Sequence, residues 1–272
     1  MNMEGLRFDL HAAAVLAPGL GSLAELLAVC RGAATYAHAP LQLPSPALLP
    51  APERRRASQV VRLVLACIDQ ALAAGPFPAE SLRSVFATDE GTGEVCQQML
   101  ETLATTRQVS PLLFPNSVQN APSGYFSIAW RNREPATVVS LGLESFAAGL
   151  LCAVTDAAAT RQPVLLVVYD PAMTSPLNEL LPIEEPTACA WIISAQGDSP
   201  AAPLGTFELR LAPAGSQSAT PLPAWLPASL QRHGSVRGIA ALGLLAGDGA
   251  SEVKLTLGAQ MVSVRRVAEA SA

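Results

Sequence analysis

Between Pro163 and Asp170 the chain reads Val-Leu-Leu-Val-Val-Tyr with no polar interruption. Successive side chains of a strand point to opposite faces, so a strand wetted on one side alternates apolar and polar residues. A continuous run predicts a strand covered on both faces, as in a sheet flanked by helices. The flanking sequence agrees. Ala136 to Leu141 is a β-branched strand, and Glu144 to Ala159 is an apolar helix that leads into the run. Such alternation points to an α/β layer fold.

The same pattern extends to either side. Leu6 to Leu16 reads as a strand, and Ser22 to Cys30 as a helix with Ser22 as its N-cap. Ala39 to Pro52 holds Pro40, Pro44, Pro46, Pro50 and Pro52, a density that predicts an extended connector and not a domain boundary. Ser58 to Ala74 is a helix with Val60, Val61, Val64, Cys67, Ile68 and Leu72 along one side. Ser84 to Ala87 is a short strand running into Thr88-Asp89-Glu90-Gly91, and Gly93 to Arg107 is a helix. Asn120 to Trp130 is a helix entered through Asn120 as cap. Thr187 to Ser194 and Thr206 to Leu211 are further strands. Val236 to Val267 is expected to hold two strands with a turn at Gly247-Asp248-Gly249.

Half of the residues are hydrophobic and only 14% are charged, which leaves few charges to cover a monomer's surface. That balance suits a permanent partner, because obligate interfaces resemble a core cut in two. The net charge of −5 argues against a nucleic-acid footprint, which needs clustered cations. Arg54-Arg55-Arg56 is the one run of three cations and reads as a solvated helix start. Five widely spaced cysteines among mostly apolar neighbours do not make a disulfide framework, and none has metal-ligand spacing. Glu4, Arg7 and Asp9 interrupt the first ten residues, so no signal peptide is expected. Leu141 to Ala159 comes nearest to a membrane span, but Glu144 and Asp156 break it. The expectation is a cytoplasmic protein without a membrane span, metal or cofactor.

Local nucleophile motifs are weak. Cys67 and Cys152 have apolar neighbours and lack the cation or helix N-terminus that lowers a thiol pKa. His11, in an apolar strand, His38, just before the proline-rich connector, and His233, in a polar turn, are too dispersed to make a local motif. Gly142-Leu-Glu-Ser145-Phe-Ala-Ala-Gly149 lies at a strand–turn–helix junction, but Leu143 and Ala147 occupy the two glycine positions of a nucleophile elbow. Gly19-Leu-Gly21 lacks the third glycine of a dinucleotide fingerprint.

Phe114-Pro-Asn-Ser-Val-Gln-Asn-Ala-Pro-Ser-Gly124 resembles the ketosynthase segment in which a loop containing proline and phenylalanine enters an asparagine-capped helix. Thr137-Val-Val-Ser140 then resembles the strand running toward the ketosynthase cysteine. The helix through Gly149-Leu-Leu-Cys-Ala153 resembles the nucleophile helix, and Pro163 to Asp170 the strand after it. In order and spacing, Leu6 to Asp170 is similar to the N-terminal half of the thiolase-like fold. The chain is similar in particular to the short ketosynthase-like chain length factors of aryl polyene (xanthomonadin-type) pigment clusters.

The resemblance implies a ketosynthase-like half over residues 1–175, a mixed sheet covered by helices, and a remodelled, shortened C-terminal region over 176–272. It also implies a departure. Where a ketosynthase carries its cysteine, this chain has Leu143-Glu144-Ser145, with Glu144 the favoured occupant and Ser145 beside it. After Asp170 only His233 is available, whereas the family brings two histidines. The implied role is a non-catalytic subunit paired with an active ketosynthase and meeting acyl carrier protein through that complex. Phe114, Tyr125 and Phe126 are candidates for the floor of an acyl tunnel, and Asn120 lies on the same interface segment. Two alternatives stay open: an active acyltransferase or condensing enzyme using Cys152 or Ser145, and a structural thiolase-like domain without a lipid role.

Overall fold

The computed structural model describes residues 5–215, 217–247 and 252–267. In chain order its elements are β1 (Leu6–Leu16), α1 (Leu23–Cys30), α2 (Ala51–Arg56), α3 (Gln59–Ala74), β2 (Arg83–Thr88), α4 (Gly93–Thr106), α5 (Ala121–Trp130), β3 (Ala136–Ser140), α6 (Ser145–Thr160), β4 (Val164–Asp170), β5 (Thr187–Ala195), β6 (Gly205–Pro213), α7 (Gly234–Leu242), β7 (Glu252–Leu257) and β8 (Gln260–Arg266). The strands form one sheet in the order β3-β2-β4-β5-β1-β6-β8-β7. β3, β2 and β4 are mutually parallel, and the remaining pairings are antiparallel. Because β5 and β6 flank β1, the sheet runs without a break across residue 175.

The pleat explains the uninterrupted apolar run. All seven residues of β4 are buried. Val164, Leu166 and Val168 enter a core with α6 and α7, while Leu165, Val167 and Tyr169 enter a second core with α3 and α5. Each fully buried side chain of this size stabilises the fold by about 2 kcal/mol relative to exposure. β1 serves the same two cores through a bulge, where its register with β5 shifts between Leu10 and Ala12. Phe8 and Leu10 face the first core before the shift, and Ala13 and Val15 face it afterwards. The extra residue, His11, therefore turns even positions into odd ones on the same face.

Most sequence-predicted elements form, several within one residue of their expected ends. Ser58 caps α3 by accepting the Val61 N–H, and Ser22 caps α1 through the Glu25 N–H. Asn120 differs: it stands at the start of α5, but its side chain makes no capping bond. A capping side chain needs an extended residue, and ψ at Asn120 is 7°. The proline-rich connector gives way to α2 at Ala51, since proline is tolerated in a first turn. Arg54, Arg55 and Arg56 lie in the last turn of α2, where cations complement the helix dipole.

The stretch from Val236 onward departs most from expectation. It begins as α7, and the two strands follow only from Glu252, turning through Gly258 and Ala259. Asp248 and Gly249 of the expected turn lie outside the described residues. Two glycines weaken the helical signal of α7. Gly238 is needed nonetheless, because a Cβ there would stand 2.6 Å from Cys189 Sγ and 2.9 Å from the Phe146 ring.

The two edges of the sheet differ. Along β7, Thr220 N–H donates to the Lys254 carbonyl and Lys254 N–H donates to Thr220 Oγ1. The outer edge of β3 has no backbone partner among the described residues, and Ala136, Thr137 and Ser140 are exposed.

Candidate functional site

In open α/β sheets, ligands gather beyond the carboxyl ends of the parallel strands. Here that end is a buried polar cluster with Asp170, the last residue of β4, at its centre. One Asp170 oxygen accepts the Asp89 N–H at 2.8 Å. The other accepts the Ser235 N–H and hydroxyl, both at 2.7 Å. Thr187 Oγ1 lies 2.6 Å from Ser235 Oγ and 2.9 Å from His233 Nδ1. Since the Ser235 proton goes to Asp170, Thr187 donates to Ser235 and His233 Nδ1–H donates to Thr187. His233, expected in a polar turn, is thus fully buried and is the end of a relay that fixes the start of α7 on β4 and β5. Burial holds its pKa below the usual imidazole value.

The turn from β3 into α6 lies against this cluster. Gly142 has φ of +57°, which favours glycine, and its carbonyl lies 3.0 Å from where a Cβ on Gly234 would stand. Two glycines thereby let the turn and the start of α7 touch. Ser145 is fully buried, and its hydroxyl is committed twice: it donates to the Thr88 carbonyl at 2.7 Å and accepts the Leu141 N–H at 2.8 Å. A serine held in this way ties β2 to the turn and is not free to attack. Glu144 reaches across the site, where its carboxylate accepts the Gly258 N–H of the β7–β8 turn at 2.7 Å.

No cysteine occupies residues 142–145. Cys152 lies seven residues into α6, about 10 Å along its axis, and burial raises its pKa. Cys189 comes closest to the cluster, with Sγ 3.8 Å from the Ser235 carbonyl, but it is fully buried and burial drives its thiol pKa far up. Both shifts run opposite to what an attacking thiolate needs.

Charge completes the site. Burial, with Asp170 and Glu90 nearby, pushes the Asp89 carboxyl up to about 6, while Arg237 pulls the other way. An acid whose pKa is raised on folding stabilises the fold fully only below its unfolded pKa, and that contribution fades as pH rises through the folded value. Asp89→Asn, which mimics the protonated acid, is therefore expected to unfold at a higher temperature than wild type near pH 7, with the gap closing toward about pH 4. Thermal unfolding across that range checks this, and a gap independent of pH contradicts it.

The four other expected positions separate. Phe114 is 59% exposed, and Asn120 is exposed. Tyr125 and Phe126 are buried in the α3–α5 core, where the Phe126 ring lies tilted between Phe86 and Trp130 at centroid distances of 6.1 and 5.5 Å. Asp170, Asp89, Thr187, Ser235 and Arg237 went unnoticed as a group in the sequence. The available signal was an aspartate at the carboxyl end of each of the buried strands, Asp89 just after β2 and Asp170 as the last residue of β4.

A family model described as beta-ketoacyl synthase, N-terminal domain, matches residues 31–231. Comparison with curated protein sequences finds no match. Among solved structures, a complex of a ketosynthase (ApeO) with its chain length factor (ApeC) from Xenorhabdus doucetiae aligns at TM-score 0.70 and 23% identity, covering 96% of this chain and 100% of the matched one. The ishigamide ketosynthase/chain length factor aligns at TM-score 0.71 and 13% identity, over 96% and 99%. A type II polyketide ketosynthase, AntDE, solved with its acyl-carrier protein AntF, aligns at TM-score 0.73 and 10% identity, over 97% and 99%. At these identities the matches establish the thiolase-like ketosynthase fold.

Proposed function

The chain belongs to the beta-ketoacyl synthase N-terminal domain family, and from that premise we propose that it is the non-catalytic member of a ketosynthase heterodimer, a chain length factor. The turn into α6 carries this reading. At the position that resembles the nucleophile site there is no thiol, Ser145 is hydrogen-bonded on both sides, and Glu144 is tied to Gly258. A carboxylate in that position cannot hold an acyl group as a thioester. The alternative acceptors gain no support, since Ser145 is inaccessible and the Cys152 thiol is raised in pKa.

The surface supports a partner. Among the described residues, nine of the twelve exposed large hydrophobic side chains fall between Leu100 and Leu143, the segment that includes the open β3 edge. Exposed strand edges invite pairing, and proteins normally cap or charge them. The partner in this reading is an active ketosynthase of aryl polyene or fatty-acid-like polyketide synthesis, working in the cytoplasm. Acyl carrier protein engages the pair, and Phe114 lies at the joint surface. Co-expression with ketosynthases that retain their cysteine tests this. The expected outcome is co-elution at equal stoichiometry. A chain that is monomeric and well behaved alone, and that co-purifies with none of them, contradicts it.

A further inference from the structure

Beside the polar cluster a cavity of about 460 Å³ opens between α7, β7 and the loop around Leu222 and Pro223. Its lining is mixed: Ala240, Val253 and Leu255 give it an apolar wall, and Gln231, Lys254 and Arg237 belong to a polar one. A guanidinium has five N–H donors. Arg237 commits one to protein: its terminal nitrogen donates to the His233 carbonyl at 3.1 Å. No carboxylate among the described residues comes within 4.0 Å of it. Three acids attract it from farther away: Asp170 is held in the relay and Glu144 on Gly258, while the Asp89 carboxylate makes no hydrogen bond among the described residues and lies beyond ion-pair distance of Arg237. A part-buried cation with unfilled donors is costly unless something pairs with it.

We propose that this cavity binds a small carboxylate borne on a short apolar stem, with Arg237 gripping the carboxylate and the α7–β7 walls covering the stem. The planar fork of arginine matches a carboxylate with two parallel hydrogen bonds. A phosphate dianion fits less well. Asp89, Asp170 and Glu144 already offset part of the positive field, and the second cation, Lys254, has Glu252 at 3.7 Å. This site stands whether or not the chain pairs with a ketosynthase.

Calorimetric titration of the full chain with hexanoate, and separately with hexanol, tests it. Wild type is expected to bind hexanoate saturably and hexanol at least roughly tenfold more weakly, since a charged hydrogen-bond pair is worth more than about 1.4 kcal/mol. Arg237→Gln is expected to lose the same factor for hexanoate. Ala240→Phe, which obstructs the cavity and spares the cation, is expected to lose binding of both probes. Absence of saturable hexanoate binding, equal binding of the two probes, or an undiminished Arg237→Gln overturns the proposal. If circular dichroism shows Arg237→Gln to be unfolded, Ala240→Phe decides: undiminished hexanoate binding by that variant also overturns it.

Discussion

Asp170→Ala is expected to destabilise the chain by about 4 kcal/mol, because it leaves two backbone N–H groups and one hydroxyl without their acceptor, each worth about 1–3 kcal/mol when buried. Those donors belong to Asp89, which begins the loop after β2, and to Ser235 in the first turn of α7. The substitution therefore loosens the contact between the parallel strands and α7. Relief of the Asp89–Asp170 repulsion offsets part of the loss. For a chain of this size the unfolding temperature is expected to fall by roughly 10 °C. Ser235→Ala removes one hydroxyl and is expected to cost only about 1 kcal/mol. Denaturant titration separates the two variants. An Asp170→Ala chain within about 1 kcal/mol of wild type contradicts the view that this carboxylate organises the site.

The second large effect concerns pairing. Phe114 is 59% exposed and Leu141 48% exposed, so neither contributes much to the fold of the isolated chain. Buried at an interface, each is worth about 1.5–3 kcal/mol, and a charge in its place adds a desolvation penalty. The Phe114→Glu, Leu141→Glu double variant is expected to keep wild-type stability and to weaken capture of the ketosynthase by a few hundredfold, about 3–4 kcal/mol. Surface-plasmon titration against the immobilised partner measures this. Unchanged affinity contradicts the assignment of the β3 edge and its apolar neighbours to the partner interface.

How legible the fold was depended on where each signal originates. The β4 run and the Ser58-capped α3 were readable because pleat and helix periodicity are local properties. α7 was not, since Gly234 and Gly238 depress its helical pattern and both are explained by neighbours far away in sequence, Gly142 and Cys189. The absence of a cysteine before α6 was also readable, because it is a fact about residue types. The relay from Asp170 to His233 was hidden, as its members come from β4, β5 and α7 and meet only once the sheet has formed. His233 read as part of a polar turn for the same reason: its immediate neighbours in sequence are polar, while in the fold it is fully buried.

The account depends on this chain being unable to take an acyl group itself. The most direct measurement is intact-protein mass spectrometry of the co-purified pair after incubation with an acyl-carrier-protein thioester. The expected spectrum shows the acyl mass on the ketosynthase and an unshifted mass for this chain. A stoichiometric acyl adduct on this chain, mapped to Ser145 or Cys152, contradicts the account.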